Sequence, residues 1–174
     1  MLEVEIKARV SSLQDVEMRL FEMGASYLGE EEQRDVYFAH PCRDFAQSDE
    51  ALRLRRGGGR VFLTYKGRRL EEVTKTREEV SVGVESFESA KLVLERLGFE
   101  EVAEVRKLRR SYRVGDYLVE LDRVEGLGEF VEVEKKAEEY SPEELLDFLA
   151  AMGIERRAIE RRSYLELLLG ERDG

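Results

Sequence analysis

Apolar and charged residues alternate from the first positions of the chain. Leu2, Val4, Ile6, Ala8 and Val10 fall on one side of a period-two pattern, and Glu3, Glu5, Lys7 and Arg9 on the other. That spacing predicts a β-strand with one buried face. Ser11 or Ser12 then caps a helix running to about Met23, with Gly24 past its end. Val16, Leu20 and Met23, with Leu13 and Phe21 alongside, form its apolar stripe. A long strand from Ser26 to Phe38 leads into a polar loop that holds His40-Pro41 and runs to about Glu50.

Further along, Ala51 to Arg56 and Arg60 to Lys66 read as two strands joined at Gly57-Gly58-Gly59. A phosphate-binding loop must open into a helix, whereas this triplet opens into Val61-Phe62-Leu63, so it reads as a hairpin turn. Charged residues 67–77 read as a mobile connection to a short strand, Glu78 to Val84. A second helix spans Ser86 to Leu97 and stops at Gly98. Three strands follow, Phe99 to Val114, Tyr117 to Glu125 and Glu129 to Ala137, separated by glycine-containing turns. Ser141-Pro142-Glu143-Glu144 starts a helix, with a cap, Pro at the first position and acids in the first turn. That helix ends at Met152-Gly153, and a last one spans about Arg162 to Leu169 with Leu165, Leu168 and Leu169 as its apolar contacts.

The order strand, helix, Met23-Gly24, strand is echoed at Leu97-Gly98, which suggests two related halves of about four strands each. The run Arg-Arg-Ser-Tyr also occurs twice, at 109–112 and 161–164. The expectation is a single α+β domain over 1–174: an eight-stranded antiparallel β-barrel with flanking helices.

The polar faces of these strands are unusual. Glu3, Glu5 and Lys7 form one row, Arg53 and Arg55 a second, Thr64 and Lys66 a third. Lys107 and Arg109, Glu120 and Asp122, and Glu132 and Glu134 complete the set. For any one strand a solvated outer face is the simpler reading. Taken together the rows are nearly free of Ser, Thr and Gln, and their signs are grouped by strand. If amphipathic helices cover the apolar faces from outside, the charged rows point into the barrel.

Composition narrows what such an interior serves. The chain has 174 residues, 29 basic and 39 acidic, for a net charge of −10. A general nucleic-acid partner is disfavoured by that balance. No apolar run approaches a membrane span and the chain opens directly on a strand, so a cytoplasmic protein without a membrane partner is expected. One Cys and one His leave no disulfide, no zinc set and no Cys-His pair. A Ser-His-Asp set would have to use His40, and no nucleophile-elbow sequence is present. The absence of Asn and Trp with abundant Glu and Arg leans towards a thermophilic source. What remains is a divided interior. Carboxylates suit a hard divalent cation such as Mg²⁺ or Mn²⁺, and Arg and Lys suit phosphate oxygens. Phosphoryl chemistry needs little else.

These residues resemble a known family. Glu3-x-Glu5-x-Lys7 is similar to the opening signature of the CYTH superfamily, the triphosphate tunnel metalloenzymes. The likeness continues in order through Leu52-Arg53-Leu54-Arg55, Thr64-x-Lys66, Arg77-x-Glu79, Lys107-x-Arg109, Asp122 and Glu132-x-Glu134. The stretch from Asp35-Val36-Tyr37-Phe38 through His40-Pro41 and Arg43-Asp44-Phe45 to Asp49-Glu50-Ala51-Leu52 resembles the class IV adenylyl cyclase branch. The resemblance implies an antiparallel tunnel that binds a triphosphate. By carry-over, Glu3, Glu5, Glu132 and Glu134 bind metal with Asp122 in support. Lys7, Arg53, Arg55, Lys66, Lys107 and Arg109 hold phosphates. Glu79 is a further member of the family's residue set. The expected activity is conversion of ATP to cyclic AMP and pyrophosphate. The alternatives are hydrolysis of ATP, inorganic triphosphate or thiamine triphosphate, and nucleotide or polyphosphate binding without turnover. Thiamine-specific members are expected to stack thiamine on a Trp, and this chain has none. Both a monomer and a homodimer are compatible with the sequence.

Overall fold

The computed structural model describes residues 2–70, 76–137 and 141–173, and the side chains of all of these except 2, 3, 137 and 171–173. The chain runs β1 (Leu2–Val10), α1 (Leu13–Glu22), β2 (Ser26–Ala39), α2 (Phe45–Ser48), β3 (Ala51–Gly57), β4 (Arg60–Lys66) and β5 (Glu79–Val84). It continues with α3 (Phe87–Arg96), β6 (Glu100–Val114), β7 (Tyr117–Val124), β8 (Gly128–Ala137) and α4 (Pro142–Ala151). A 3-10 turn at Arg156–Ala158 and α5 (Tyr164–Asp173) end it.

The local signals explain most boundaries. Ser12 and Ser86 cap α1 and α3 by accepting from the Asp15 and Ser89 amides. Ser141 stands at the start of α4 without a side-chain cap bond, so Pro142 carries that start. α1, α3 and α4 all end in the same way. In α1, Gly24 N–H donates to Phe21 O and Ala25 N–H to Leu20 O, with Gly24 at φ +74°. Gly98 and Gly153 repeat the pattern, a glycine-dependent helix stop. The stop at Gly153 shares the cap but leads into the 3-10 turn instead of a strand.

All eight strands form one antiparallel sheet in the order β1-β8-β7-β6-β2-β3-β4-β5. The sheet curls until side chains from every strand line one cavity. Register irregularities at Tyr27/Gly29 and Tyr37/Phe38 bend the long β2–β6 pair. Closure is by packing: among the described residues no hydrogen-bond ladder joins edge strands β1 and β5. The C-terminal chain lies along the free edge of β1 instead. Ala8 bridges Ile159, and Glu160 N–H donates to Lys7 O at 2.8 Å.

The apolar rows face outward under helices, as the patterning predicts. Val4, Ile6 and Ala8 pack with Val16 and Leu20 of α1 and Leu145 and Leu149 of α4. Val36, Phe38 and Leu54 pack under Phe87 and Leu94 of α3. A fully buried aliphatic side chain contributes roughly 1.5–3 kcal/mol, so these outer layers hold the barrel together while its interior stays polar. Phe21, expected on the buried stripe, is 85% exposed.

The interior is not charged throughout. One end holds Tyr37, Val105, Val124 and Phe130, which pack with Tyr164 and Leu167 of α5. Of the leucines expected to anchor the last helix, Leu165 and Leu168 are partly buried against this cluster. The polar loop before β3 contains the one-turn α2, capped by Asp44. Residues 71–75 of the connection read as mobile lie outside the described residues. Its described ends are fastened: Leu70 N–H donates to Thr76 O, Arg69 donates to the Asp49 carboxylate and Arg77 to the Asp49 carbonyl oxygen. Among the described residues no helix is long and apolar enough to cross a membrane.

Candidate active site

The cavity has a volume of about 140 Å³ and is lined by charged side chains from the inner faces of the strands and by Tyr37, Ala51, Ser163, Tyr164 and Leu165. Of the residues singled out from the sequence, Glu5, Lys7, Arg53, Arg55, Lys66, Lys107, Arg109, Glu132 and Glu134 meet there, with Glu79. Glu3 belongs to β1 opposite Lys136, but its side chain lies outside the described residues. Asp122 does not line the cavity; it stands behind Arg109.

The charges are sorted by position. Glu120 of β7 is opposite Glu132 of β8, and Glu134 is opposite Glu5 of β1, so three adjacent strands build an acidic wall. Arg53 and Arg55 of β3, Lys66 of β4 and Lys107 of β6 form the opposing basic wall.

Two buried aspartates fix the cations. Asp35, at 0% exposure, accepts two parallel bonds from Arg55 Nε and Nη2 at 2.7 and 2.8 Å, and a third from Lys107 Nζ at 2.6 Å. Burial would raise the Asp35 pKa, but the Lys107 and Arg55 charges outweigh it and hold the carboxyl well below its usual range. Asp122 takes Arg109 Nε and Nη2 in the same forked manner, at 2.6 Å each, and accepts from Tyr164 Oη–H at 2.7 Å. Arg109 also reaches Glu120 at 2.7 Å and Glu132 at 3.1 Å. Lys66 lies 3.5 Å from Glu79. Arg53 Nε is buried with no hydrogen-bond partner among the described residues, an unspent donor beside the cavity.

Burial also acts on the acid and base groups themselves. It pushes Glu120 up to about 7 against the pull of Arg109, and pushes Lys107 down to about 8 against Asp35. Tyr164 is raised well above its ordinary value by burial and by Glu132 and Asp122, which keeps it a phenol.

Asp35, Glu120 and Tyr164 take part in the site beyond the residues assigned roles from the sequence. A signal existed for Asp35: a carboxylate on the inward parity of Asp35-Val36-Tyr37-Phe38 needs buried cations. Glu120 alternates with Val119 and Leu121 in the same way as the assigned acids. Tyr164 closes the second Arg-Arg-Ser-Tyr run, which pattern alone does not connect to the barrel.

The donors fit a hard divalent cation in kind. Glu5, Glu132 and Glu134 supply only carboxylate oxygen, on one wall, opposite cations suited to phosphate. Among the described residues no three acids are already gathered tightly enough to hold an ion. Seven basic and five acidic described side chains line the cavity, and Asp35 and Asp122 behind them bring the formal sum to zero.

Comparison with known proteins agrees with this architecture. The chain is 40% identical over 172 residues to "Putative adenylate cyclase MJ0240" of Methanocaldococcus jannaschii, covering 96% of this chain and 98% of that one. It is 26% identical over 173 residues to "Adenylate cyclase CyaB" of Aeromonas hydrophila, covering 95% and 87%. The solved structure of the PH1819 protein from Pyrococcus horikoshii OT3 superposes with a TM-score of 0.89 at 41% identity, covering 97% of this chain and 99% of that one. With residues 1–164 matching the family model of the CYTH domain, the chain belongs to the CYTH family, in its class IV adenylyl cyclase-like branch.

Proposed function

We propose that the cavity binds a triphosphate together with a divalent cation, Mg²⁺ or Mn²⁺, and that the protein converts ATP to cyclic AMP and pyrophosphate. The observation that carries this reading is the facing of an acidic wall by a basic wall in one cavity. Two relatives named adenylate cyclase support the choice of reaction.

In this reading Arg53, Arg55, Lys66 and Lys107 grip phosphate oxygens from one side, with Lys7 and Arg109 reaching from the other. Arg53 offers the buried, unpartnered Nε–H, and Asp35 keeps Arg55 and Lys107 in fixed orientations. Pre-set donors need no reorganisation when charge shifts onto the departing phosphates. Glu5, Glu132 and Glu134 would hold the cation, which supplies charge neutralisation to the triphosphate. Asp122 contributes through Arg109, since Arg109 and Tyr164 already occupy its oxygens. The ribose 3′-hydroxyl gives up its proton to solvent as its oxygen bonds the α-phosphorus, and pyrophosphate leaves with the electron pair of the broken α–β bridge.

Hydrolysis uses the same grip with water as nucleophile, and the fold does not choose between them. The deciding experiment is incubation with ATP and Mg²⁺ or Mn²⁺ followed by product identification. Cyclic AMP with pyrophosphate is expected. ADP with phosphate would replace the cyclase reading by a triphosphatase one, and binding without turnover would remove both.

A further inference from the structure

We propose that Tyr164, delivered by the C-terminal segment, is a positioning residue of the anion grip. It acts on Arg109 through Asp122 and on Lys7 through its ring. The inference rests on the reading that the cavity binds a triphosphate.

The geometry is specific. Tyr164 is 5% exposed, lines the cavity and donates its phenol hydrogen to Asp122 Oδ2 at 2.7 Å. That same oxygen accepts from Arg109 Nη2 at 2.6 Å, while Oδ1 accepts from Arg109 Nε. Asp122 thus has one oxygen shared between a guanidinium and a phenol. Removing the phenol leaves that oxygen short of a donor and the fork freer to turn. The ring face works in parallel: Lys7 Nζ lies 4.2 Å from its centroid and Lys107 Nζ 5.5 Å. A cation held over an aromatic face in a desolvated site is oriented as well as stabilised. One side chain therefore touches the environment of three of the six cations assigned to the phosphates.

Its mounting argues against a filler role. The segment before α5 is stitched to β1 at Lys7 and Ala8. On its other side Arg69, which follows β4, donates to Arg161 O and pairs with Glu166 of α5 at 3.0 Å. Tyr164 sits between these two anchors. The second Arg-Arg-Ser-Tyr run thereby meets the first inside the barrel, Tyr164 of one acting on Arg109 of the other.

The test is calorimetric titration of inorganic tripolyphosphate into the full-length protein, in EDTA and again with Ca²⁺, with melting temperatures measured in parallel. Tyr164→Phe keeps the ring and removes only the phenol oxygen. It should weaken binding about tenfold and lower the melting temperature by a few degrees, the cost of one buried donor lost, while the protein stays folded. Tyr164→Leu should lose a further factor of about five by removing the cation–ring contact. In an Asp122→Asn background, Tyr164→Phe should change affinity less than about twofold, because its route runs through that carboxylate. The Arg109 Nε–H resonance, assigned by its loss in Arg109→Lys, should also move in Tyr164→Phe; this readout needs neither ligand nor the Asp122 variant. Wild-type affinity in Tyr164→Phe, fully additive losses in the double variant, or an unmoved Arg109 resonance would overturn the proposal. Failure of the wild type to bind tripolyphosphate in either buffer refutes the triphosphate reading itself; a moved Arg109 resonance then still establishes the coupling without its purpose.

Discussion

Asp35 holds Arg55 by two parallel hydrogen bonds of 2.7 and 2.8 Å while its second oxygen also receives Lys107. One carboxylate thus orients two cations of the basic wall and leaves them a net positive charge facing the cavity. β2 is the natural place for it. Its inward parity puts Asp35 beside β3 on one side, opposite Arg55, and beside β6 on the other, one inward step from Lys107.

Asp35→Asn should destabilise the protein at pH 7 by about 3–5 kcal/mol, the usual result of removing one partner from a buried ion pair. Urea unfolding provides the measurement. A loss below about 1 kcal/mol would mean that water, not Asp35, compensates the two cations.

The same residue sets an acid limit. Its folded pKa is depressed, so between that value and the unfolded value of about 3.9 the unfolded chain binds the extra proton. The stability that Asp35 contributes is complete above about pH 4 and is lost as pH falls through the folded pKa. The difference in urea midpoint between wild type and Asp35→Asn should therefore be constant from pH 7 to about 5 and shrink on further acidification. A gap that persists unchanged to pH 2 would contradict the assignment.

Much of this was legible before the fold was known, for a physical reason. Period-two patterning fixes which residues share a face, so Glu5 with Lys7, Lys107 with Arg109 and Glu132 with Glu134 were readable as rows. The inward direction of those rows followed from the amphipathic helices. What pattern does not carry is pairing across strands. The Asp35–Lys107 and Asp122–Tyr164 contacts span 72 and 42 residues, and no local rule connects them. Closure was similarly hidden, because the seam beside β1 is filled by Ile159 and Glu160, which have no strand periodicity.

Lys66→Ala should weaken tripolyphosphate binding more than cation binding. Lys66 stands on the basic wall, and its partner Glu79 is 3.5 Å away, a loose pairing that a phosphate oxygen can replace. A loss of about tenfold in tripolyphosphate affinity is expected, with Mn²⁺ affinity changed less than about twofold. Equal tripolyphosphate affinity would exclude Lys66 from the grip.

Arg69→Ala tests the fastening of the C-terminal segment. Arg69 forks onto Asp49, pairs with Glu166 and donates to Arg161 O, so it joins three parts of the chain. The site is partly exposed, and a stability loss of about 1–2 kcal/mol is expected. The sharper readout is hydrogen exchange. Amides of residues 159–168 should exchange faster in Arg69→Ala while those of β7 and β8 do not. Uniform acceleration over the whole chain would mean that Arg69 serves global stability only.

Glu134→Ala tests whether the acidic wall holds the cation. Glu134 shares the inner face of β8 with Glu132 and sits opposite Glu5, so its carboxylate adds to an already acidic wall. The substitution leaves the apolar layers under the helices untouched, so the fold should stay intact. Turnover with Mg²⁺ or Mn²⁺ should nevertheless fall by about 100-fold or more, because a ligand oxygen for the cation is lost. Glu134→Gln keeps the shape without the charge and should fall nearly as far. Raising the metal concentration should recover part of the activity in both variants if the carboxylate acts by holding the cation. Full activity of Glu134→Ala at ordinary metal concentration would remove Glu134 from the cation site.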